Sequence, residues 1–398
     1  MNFSRDVVIV GGCGHVGLPL GIAFARAGLN VALFDTNRRV VEQVQSAKMP
    51  FMEAGADEAL EAAVSSGRLT ASAEPHVVGQ AEHVIVVVGT PVDDHLTPDP
   101  NAVPAAVDAL LGDLRDGQHL VLRSTVFPGV TAVVERLVAQ SGIDLEVSFC
   151  PERIAEGRAL DELHVLPQIV AGRTEQATAR ASALFRHLTD SIVELEIEEA
   201  ELAKLFTNTW RYIKFAAANQ LFMIANDHGL DFERIRAALQ FDYPRAADMP
   251  GPGFAAGPCL LKDTMQLATF DANNFTLGHA SVMVNEGLPL YVVDRLEKRY
   301  DGLASMTVGI LGMAFKGESD DVRSSLAYRL RRLLRFKAGR VMCTDPHVTL
   351  DPDLQPLEVV LAQSDLLIIG APHRAYEDLQ PSVPVVDLWN LLGGGVLV

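Results

Sequence analysis

The chain has 398 residues, of which 48% are apolar and 21% are charged. Its 33 basic and 51 acidic residues give a net charge of −18, which disfavours non-specific binding to nucleic acid or anionic lipid because phosphate groups are repelled. The apolar fraction excludes intrinsic disorder, and the length is typical of two or three domains. The four cysteines are scattered and form no C-x-x-C pair, so neither a disulfide framework nor a cysteine-ligated zinc site is expected.

No targeting or membrane-spanning segment is predicted. The apolar run Val7–Val10 is too short for a signal peptide and ends at glycines. No uncharged apolar stretch reaches the length of about 18 residues that a membrane span needs. We therefore expect a cytoplasmic protein that has neither a nucleic acid nor a membrane as a partner and that binds no metal.

The first half of the chain alternates short apolar runs with longer amphipathic stretches. The apolar runs predict strands at Val7–Val10, Val31–Phe34, Val84–Val88, Leu120–Leu122 and Val147–Phe149. The stretches between them predict helices at Val16–Ala27, Arg39–Ala47, Ala56–Ser65, Val103–Leu114 and Val130–Ser141. This alternation predicts an α/β domain, residues 1–198, with a doubly wound parallel sheet that is covered on both faces.

The middle of the chain is predicted to be helical, over residues 199–300. No glycine or proline occurs from Glu198 to about His228, and apolar residues recur there at three- and four-residue spacing, which predicts one long helix ending at Gly229. Further helices are predicted at Asp231–Leu239, Leu261–Phe270 and Ser281–Arg299, with a loop rich in proline and glycine before the second of them.

Strands and helices alternate again after residue 301, which predicts a second α/β domain over residues 301–398. Its predicted strands are Thr307–Leu311, Arg340–Thr344, Leu366–Gly370 and Val385–Asp387. Its predicted helices are Ser324–Lys337 and Glu358–Gln363. The predicted fold class is therefore α/β, with two doubly wound parallel-sheet domains joined by a helical segment.

A glycine fingerprint, Gly12-x-Gly14-x-x-Gly17, lies between the first strand and the first helix. Its glycines permit, in order, a tight turn, close approach of a pyrophosphate and packing of the helix on the strand. The helix start, near His15 and Val16, presents backbone N–H groups to the phosphates. The pattern predicts a dinucleotide site.

The second predicted strand ends at Asp35, where an acidic side chain binds the ribose hydroxyls of a dinucleotide. A carboxylate at that place repels a 2′-phosphate and favours NAD over NADP. Arg38 and Arg39 lie close by in the sequence and could bind that phosphate, so NADP remains an alternative cofactor.

Two further predicted strands end in hydroxyl-bearing loops, Gly89-Thr90-Pro91 and Ser124-Thr125. Ligands of open parallel sheets bind at the carboxyl ends of the strands, so these hydroxyls are positioned to contact the nicotinamide or its ribose. Ordinary turn chemistry explains the same residues equally well.

Two pairs of polar residues are spaced four apart. Glu152 and Glu156 would share a helix face, where like charges raise each other's pKa and so suit acid/base chemistry, although a solvated face is the commoner reason for this spacing. Lys204 and Asn208 lie on the predicted long helix and would hold or activate a substrate oxygen, although an exposed helical lysine usually serves solubility.

Cys259 lies where a loop meets a predicted helix, and Lys262 and Asp263 follow within one turn. A helix start and a nearby cation stabilise a thiolate, so this arrangement is typical of an activated nucleophile. A buried small side chain is the alternative, and it is what we expect for Cys13, Cys150 and Cys343.

A glycine-bearing turn with two cations, Lys316 and Arg323, follows the first strand of the C-terminal domain. Cations in an otherwise acidic chain indicate a second nucleotide site. Two solvated surface charges are the alternative.

Taken together and in this order, the motifs resemble those of the UDP-glucose/GDP-mannose dehydrogenase family, from about Val7 to Asp387. The resemblance implies two Rossmann-like domains, the first binding NAD and the second UDP, joined by a central helical dimerisation domain. It further implies a homodimer, formed through the long helix, that oxidises the C6 alcohol of a UDP-sugar to a carboxylate with two NAD per turnover.

The resemblance also implies catalytic roles. Cys259 would be the nucleophile that forms a thiohemiacetal and then a thioester. Lys204 would stabilise the oxyanion, and Asp263 and Thr125 would hold a water molecule. Glu152 would be the acid/base for thioester hydrolysis.

Further residues would bind the cofactor or the substrate. Glu156 would lie beside the nicotinamide, and Arg323 would contact the cofactor. The residues implied for the substrate, besides Glu152 and Lys204, are Arg153, Asn208, Arg245 (reaching the partner subunit's site), Gly253, Phe254, Gly257, Phe315 and Lys316.

The loop Ala256-Gly257-Pro258-Cys259-Leu260-Leu261 departs from the family pattern Gly-Gly-x-Cys-x-Pro. The segment from Pro244 to Gly253 is similar to the branch that acts on UDP-N-acetylhexosamines, whereas Cys-x-x-Lys-Asp is similar to the UDP-glucose branch. The motifs therefore leave two candidate substrates, a UDP-N-acetylhexosamine and UDP-glucose. Two alternatives also stay open: a dehydrogenase that performs a single two-electron oxidation, and a non-catalytic nucleotide-binding relative.

Overall fold

The computed structural model of the chain describes residues 3–90, 92–93, 98–255 and 257–398. The chain divides into two compact units, Met1–Thr207 and Asn208–Val398. The boundary between these units falls inside the long central helix and does not coincide with a predicted domain boundary. The three predicted domains, residues 1–198, 199–300 and 301–398, therefore stay a prediction. Among the described helices, none is long and apolar enough to cross a lipid bilayer.

The first unit contains a sheet of eight strands in the order β3-β2-β1-β4-β5-β6-β7-β8. The strands are β1 (Arg5–Val10), β2 (Val31–Phe34), β3 (Leu69–Ser72), β4 (Ala81–Val86), β5 (His119–Leu122), β6 (Glu146–Phe149), β7 (Gln168–Gly172) and β8 (Ile192–Glu194). Neighbouring strands are parallel except β6 and β7, which are antiparallel. The prediction of a parallel sheet is thus confirmed for the predicted strands, and the antiparallel pair involves β7, which was not predicted.

Helices cover this sheet on both faces. They are α1 (Gly17–Arg26), α2 (Arg38–Gln45), α3 (Ala56–Ser65), α4 (Ala102–Asp108), α5 (Val130–Ser141), α6 (Ala159–Val165), α7 (Glu175–Phe185) and the start of α8 (Ile197–Asp227). The apolar residues on the two faces form separate clusters. One contains Ile9 and the other Val8, so alternate residues of β1 point to opposite faces of the sheet. The prediction of a sheet buried on both sides is confirmed.

Several elements of the first unit were missed or misplaced by sequence patterns. The strands β3, β7 and β8 and the helices α6 and α7 were not predicted. In β3 half-buried polar residues alternate with buried apolar ones, and three of the five buried residues of α7 are alanine or serine. The predicted helix Val103–Leu114 ends at Asp108 and continues as separate turns, which still bury Leu110 and Leu114. The predicted strand Val84–Val88 begins at Ala81 and ends at Val86.

The second unit combines long helices with a four-stranded parallel sheet. After the remainder of α8, its helices are α9 (Phe232–Gln240), α10 (Leu260–Phe270), α11 (Thr276–Tyr300), α12 (Leu326–Leu334) and α13 (Leu357–Gln363). The strands β9 (Thr307–Leu311), β10 (Arg340–Thr344), β11 (Leu366–Ile369) and β12 (Val385–Val386) form a sheet in the order β10-β9-β11-β12. The helix predicted at Ser324–Lys337 is shorter at both ends. It begins only at Leu326, because Ser324 has a φ of 54° and Ser325 caps α12, and it ends at Leu334.

Candidate active site

A glycine-rich turn joins β1 to α1 at the carboxyl end of the sheet. A Cβ atom on Gly12 would lie 2.6 Å from the carbonyl oxygen of Ile9, and one on Gly17 would lie 2.6 Å from that of Gly11. A Cβ on Gly14 would have no neighbour closer than 3.7 Å. Packing within the protein therefore requires Gly12 and Gly17, whereas Gly14 leaves its part of the turn open to a ligand.

The start of α1 offers backbone N–H groups at the same place. Its N-cap residue, Val16, supplies no side-chain cap, and the first turn contains no acidic residue, so the helix start favours a phosphate. His15 stacks on Phe51 with ring centroids 4.0 Å apart, and its Nδ1 lies 3.5 Å from Oε1 of Glu156. The structure thus brings together His15 and Glu156, which were both predicted to contact the cofactor.

Asp35 lies at the end of β2, beside the glycine turn. Its Oδ2 accepts a hydrogen bond from the N–H of Cys13 at 3.2 Å, and its Oδ1 accepts one from Asn37 at 3.0 Å. Each carboxylate oxygen has a further lone pair for a hydroxyl group. Arg38, one of the two arginines for which binding of a 2′-phosphate was considered, donates a hydrogen bond to the Glu74 carboxylate at 3.0 Å.

The loops after β4 and β5 are tied to each other by their hydroxyl groups. Thr90 Oγ1 donates to the carbonyl oxygen of Thr125 at 2.8 Å, and Ser124 Oγ donates at 2.8 Å to the main chain just before Gly89. The predicted residues of both loops therefore lie together, Gly89 being exposed. Pro91, the remaining predicted residue, lies outside the described residues.

Glu152 and Glu156 do not share a helix face, contrary to the prediction, because residues 151–158 are not helical and α6 begins only at Ala159. Glu152 is buried, and its Oε1 accepts hydrogen bonds from the N–H groups of Arg153 at 2.5 Å and Ile154 at 2.6 Å. The carboxylate therefore folds back over its own main chain. These backbone N–H groups bond to a side chain and make no helical bond.

Arg123, at the end of β5, is buried among the residues that surround Glu152. It pairs with the Glu152 carboxylate and donates to the carbonyl oxygen of Cys150 at 3.0 Å and to Oε1 of Gln168 at 2.9 Å. Its guanidinium carbon lies 4.9 Å from the ring centroid of Phe185. A buried charge is costly unless it is paired, and this network supplies the pairing.

Glu201 fixes the start of α8 to the start of α5. Its carboxylate accepts hydrogen bonds from the N–H of Gly129 at 2.6 Å, the N–H of Thr131 at 2.9 Å and the hydroxyl of Thr131 at 2.6 Å. Lys204 follows one turn later on α8 and is only 7% exposed. Glu201 thereby fixes the helix that carries Lys204 against the segment that follows Thr125.

Sequence patterns missed Arg123 and Glu201. A signal existed for Arg123, since it directly follows the apolar run Leu120–Leu122, and a charged side chain so close to a buried strand needs a partner. Glu201 had no such signal, because an acidic residue in the first turns of a helix is commonly explained by the helix dipole.

In the second unit, Cys259 occupies the N-cap position of α10, as the loop-to-helix pattern predicted. Its side chain is exposed, whereas those of Cys13, Cys150 and Cys343 are buried. Burial raises the pKa of Cys13 and Cys150 to about 12 and that of Cys343 to about 11. The expectation that these three are inert small side chains agrees with their burial.

Asp263 lies one turn after Cys259 and is fully buried. Its backbone N–H donates to the carbonyl oxygen of Cys259 at 2.9 Å, and its Oδ2 accepts a hydrogen bond from Nδ2 of Asn208 at 2.6 Å. Nζ of Lys262 lies 3.3 Å from the other carboxylate oxygen. Three predicted residues, Asn208, Cys259 and Asp263, therefore lie together where α8 faces the start of α10.

The glycine loop before Cys259 is held in a conformation that larger residues resist. Gly253 has a φ of 152°, and its backbone exchanges two hydrogen bonds with the side-chain amide of Asn219, at 2.9 and 3.1 Å. Gly257 has a φ of 111°, and a Cβ atom there would lie 2.8 Å from the ring of Phe315. Gly257 and Phe315, both predicted to bind substrate, are therefore in close contact.

The predicted nucleotide-binding cations follow β9. Nζ of Lys316 lies 5.7 Å from the ring centroid of Phe315. The guanidinium of Arg323 bonds to the carboxylate of Asp321, with Nε at 2.8 and 3.0 Å and Nη2 at 2.6 Å. Arg323 is thus held in one orientation by its neighbour.

Three further residues predicted to bind the substrate, Phe254, Arg153 and Arg245, differ from one another in burial and in hydrogen bonding. Phe254 lies in the apolar core of the second unit, and its contact with the substrate stays a prediction. Arg153 donates to the carbonyl oxygen of Pro167. Arg245 is exposed on a short 3-10 turn, Pro244–Ala246.

Comparison with known proteins places these features in one family. The NAD-binding domain of the UDP-glucose/GDP-mannose dehydrogenase family matches residues 6–189, its central domain matches residues 198–286, and its UDP-binding domain matches residues 309–393.

Individual relatives are similar over nearly their whole length. A UDP-N-acetyl-D-mannosamine dehydrogenase of Yersinia pestis is 29% identical, over 95% of this chain and 96% of that protein. An NDP-N-acetyl-D-galactosaminuronic acid dehydrogenase of Ralstonia nicotianae is 28% identical, over 94% of this chain and 92% of that protein. The structure of a UDP-glucose dehydrogenase from Pyrobaculum islandicum has a TM-score of 0.89 and 29% identity, covering 96% of this chain and 94% of that one. The chain therefore belongs to the UDP-glucose/GDP-mannose dehydrogenase family and is an NAD-dependent oxidoreductase.

Proposed function

We propose that this enzyme oxidises the C6 alcohol of a UDP-sugar to a carboxylate in two NAD-dependent steps, with Cys259 as the nucleophile. The observation that carries the proposal is the position of Cys259, exposed at the start of α10 beside the buried pair of Asn208 and Asp263 and the half-buried Lys262. A helix start favours an anion, as a nucleophilic thiolate requires.

NAD, when bound, accepts a hydride from C6 in each of the two oxidations. The first oxidation converts the alcohol to an aldehyde and releases its hydroxyl proton. The sulfur of Cys259 then adds to the aldehyde carbon, and the resulting thiohemiacetal loses a hydride and a proton to become a thioester. Water attacks the thioester carbonyl, the C–S bond breaks, and the thiol and the carboxylate are left. Four electrons leave the sugar in all, as two NADH.

The residues of the first unit are suited to binding the dinucleotide. The open side of Gly14 and the uncapped start of α1 fit a pyrophosphate, and Asp35 fits the ribose hydroxyls. We place the nicotinamide near Glu156 and Thr125. Arg323 of the second unit is proposed as a further cofactor contact.

Lys204 is proposed to stabilise the oxygen at C6 while that oxygen is anionic. It is 7% exposed and, within the described part of the chain, forms no ion pair or hydrogen bond. Since a buried cation is costly, a site that retains one without a protein partner is well suited to an anionic ligand. We propose that Asp263 and Thr125 hold the water molecule in this reaction.

Glu152 is proposed as the base that takes a proton from the water attacking the thioester. Its pairing with Arg123 and its bonds to the backbone at residues 153 and 154 hold the carboxylate in one orientation. A fixed carboxylate can take a proton from a bound water without first reorganising.

The substrate is proposed to be a UDP-N-acetylhexosamine, with UDP-glucose as the alternative. The names of the Yersinia and Ralstonia relatives and the Pro244–Gly253 segment favour the N-acetylhexosamine, whereas Cys-x-x-Lys-Asp favours UDP-glucose. Phe315 and Lys316 would bind the uridine diphosphate. The residues proposed for the sugar are Arg153, Asn208, Gly253, Gly257 and the partner-directed Arg245.

We test the proposal by counting NADH formed per sugar consumed, using UDP-N-acetylmannosamine, UDP-N-acetylgalactosamine, UDP-glucose and GDP-mannose in turn. The expected result is two NADH per UDP-sugar. One NADH per sugar supports the two-electron dehydrogenase instead. NAD binding without turnover of any of these sugars supports the non-catalytic alternative.

The variant Cys259→Ser tests the nucleophile. Because an alcohol is a much poorer nucleophile and leaving group than a thiol at this step, formation of the carboxylate should fall at least about 100-fold. The matched control is Cys343→Ser, which alters a buried cysteine of the same unit and should keep the two-to-one ratio. Four-electron turnover by Cys259→Ser at the native rate would contradict the assignment.

The enzyme is also proposed to be a homodimer formed through the central helices. Trp210, Leu221 and Ile224 are large, exposed and spaced to lie along one face of α8. An exposed apolar face of this kind is typical of a protein–protein interface.

A further inference from the structure

A buried histidine and a buried aspartate lie beneath the loop that follows β9 in the second unit. The side chains of His373 and Asp345 are both fully buried, and Nε2 of His373 lies 3.1 Å from Oδ2 of Asp345. Nδ1 of His373 accepts a hydrogen bond from the backbone N–H of Glu318 at 3.0 Å. Since Nδ1 is an acceptor, the neutral ring carries its proton on Nε2 and donates it to Asp345.

Asp345 uses its two oxygens to bind four backbone N–H groups. Oδ2 accepts from Met313 at 2.6 Å and Ala314 at 3.0 Å, and Oδ1 accepts from His347 at 2.8 Å and Val348 at 3.0 Å. Burial raises the pKa of this carboxyl, but its interactions with His373 and the hydrogen bonds from the N–H groups of His347 and Ala314 outweigh burial and lower the pKa to about 2. The carboxylate is therefore ionised and holds the start of the loop.

The two side chains together hold both ends of one short loop. Asp345 binds the main chain at residues 313 and 314, and His373 binds it at residue 318. The segment between these points carries Phe315 and Lys316. Gly317 lies so close to Pro372 that a Cβ atom there would clash with the Pro372 carbonyl group. The loop thus rests directly on the segment that carries His373.

Glu318, His347 and His373 also lie close enough to one another to suggest a metal site. The hydrogen bonds argue against that interpretation, because both ring nitrogens of His373 are engaged by the protein. A histidine ligand needs a ring nitrogen with a lone pair directed at the metal.

We propose that His373 is a positioning residue for nucleotide recognition, which acts with Asp345 to hold the loop at residues 313–318 so that Phe315 and Lys316 meet the uridine diphosphate in one fixed orientation. The inference rests on the proposed assignment of those two residues to the nucleotide. A loop held in its binding conformation loses little conformational freedom when the ligand binds, so its release weakens binding more than it slows chemistry.

The test is a calorimetric titration of the full chain with UDP and, separately, with NAD. His373→Ala should weaken UDP binding about tenfold and change NAD binding much less, since the glycine turn and Asp35, the main proposed contacts of the cofactor, lie in the first unit. In steady-state kinetics, KM for the UDP-sugar should rise by a similar factor while kcat changes less than about twofold. UDP affinity equal to that of the wild type would overturn the inference.

Two further variants separate positioning from general destabilisation. His373→Gln retains an amide that can donate to Asp345, so it should recover part of the UDP affinity lost in His373→Ala. Leu330→Ala removes a buried side chain of α12 that makes none of the hydrogen bonds holding the loop, and it should lower the melting temperature without weakening UDP binding. If Leu330→Ala weakens UDP binding as much as the histidine variants do, the inference is overturned.

If His373→Ala does not fold, His373→Gln replaces it in the test. UDP affinity of His373→Gln equal to that of the wild type, or UDP binding weakened as much in Leu330→Ala, would then overturn the inference. The failure of the proposed function looks different from the failure of this inference. A wild-type chain that binds NAD but not UDP contradicts the assignment of Phe315 and Lys316, and this holds whatever the histidine variants do.

Discussion

At the scale of single residues, the glycines of the first turn separate packing from ligand binding. Gly17 is surrounded by backbone atoms that cannot move aside, whereas Gly14 has free space on the protein side. A fingerprint of three glycines therefore contains two different physical requirements. Only one of them concerns a ligand that approaches from outside.

This difference predicts opposite outcomes for two alanine variants. Gly14→Ala should keep the wild-type stability but weaken NAD binding at least about tenfold, because the added methyl group occupies the path of the pyrophosphate. Gly17→Ala should lower the free energy of unfolding by about 2 kcal/mol, through overpacking against the main chain. Urea unfolding and NAD titration of both variants check the prediction. Native NAD affinity in Gly14→Ala would show that its open side is not the binding side.

At the scale of elements, three neighbouring strands share a buried polar chain. His83 on β4 lies 3.0 Å from His119 on β5, joined through their Nδ1 atoms, and Nε2 of His119 lies 2.8 Å from Oγ of Ser148 on β6. Burial lowers the pKa of His83 from 6.5 to about 4, with Glu82 opposing and Arg180 assisting the shift. Burial, followed by the charges of His83 and Arg180, lowers the pKa of His119 well below 6.5.

These shifts predict how stability depends on pH. Below about pH 6.5 the unfolded chain takes up protons on both imidazoles, whereas the folded chain protonates His83 only at about pH 4 and His119 only well below 6.5. Stability is therefore full above pH 6.5 and falls as the pH drops towards 4. The loss attributable to His83 alone is about 3 kcal/mol. Urea unfolding at a series of pH values measures it.

The matched control is the double variant His83→Leu, His119→Leu, which lacks both titrating groups. Its free energy of unfolding should vary less with pH between 6.5 and 4 than that of the wild type. Equal slopes in the two proteins would assign the acid sensitivity to other groups.

At the scale of the whole molecule, exposed apolar side chains concentrate on the helices of the central segment. Besides those named on α8, they include Ile235 and Leu239 on α9 and Leu277, Met283 and Leu290 on α11. Large exposed apolar patches are unusual on monomers, and the proposed dimer would bury these side chains between two copies and so remove them from water.

The proposed homodimer is tested by placing charges on that surface. Leu221→Asp combined with Ile224→Asp should convert a dimer of 43.0 kDa chains to a monomer in sedimentation velocity, because two carboxylates would be buried without partners. The control combines Phe336→Asp and Leu350→Asp, which lie outside the central helices and are more exposed still. It should remain dimeric. A wild-type monomer at micromolar concentration would contradict the proposal.

Local patterns in the sequence were sufficient for most of the architecture. Apolar runs predicted β2 and β9 at their observed bounds, and the absence of glycine and proline predicted α8 to within one residue at each end. The loop-to-helix position of Cys259 was equally readable. These features depend on backbone geometry and hydrophobic periodicity, which neighbouring residues express directly.

The partners of buried charged groups were settled only by the tertiary structure. Arg123 meets Glu152 and Gln168 across 29 and 45 residues of chain, and Asp345 meets His373 across 28. Nothing within a few residues of any of these positions encodes such a pairing. Sequence by itself therefore determined the alternation of elements, the glycine turns and the nucleophile's position. Only the tertiary structure decided which groups bind each buried carboxylate. A buried charge is stabilised by the groups that packing brings next to it, and these are often distant along the chain.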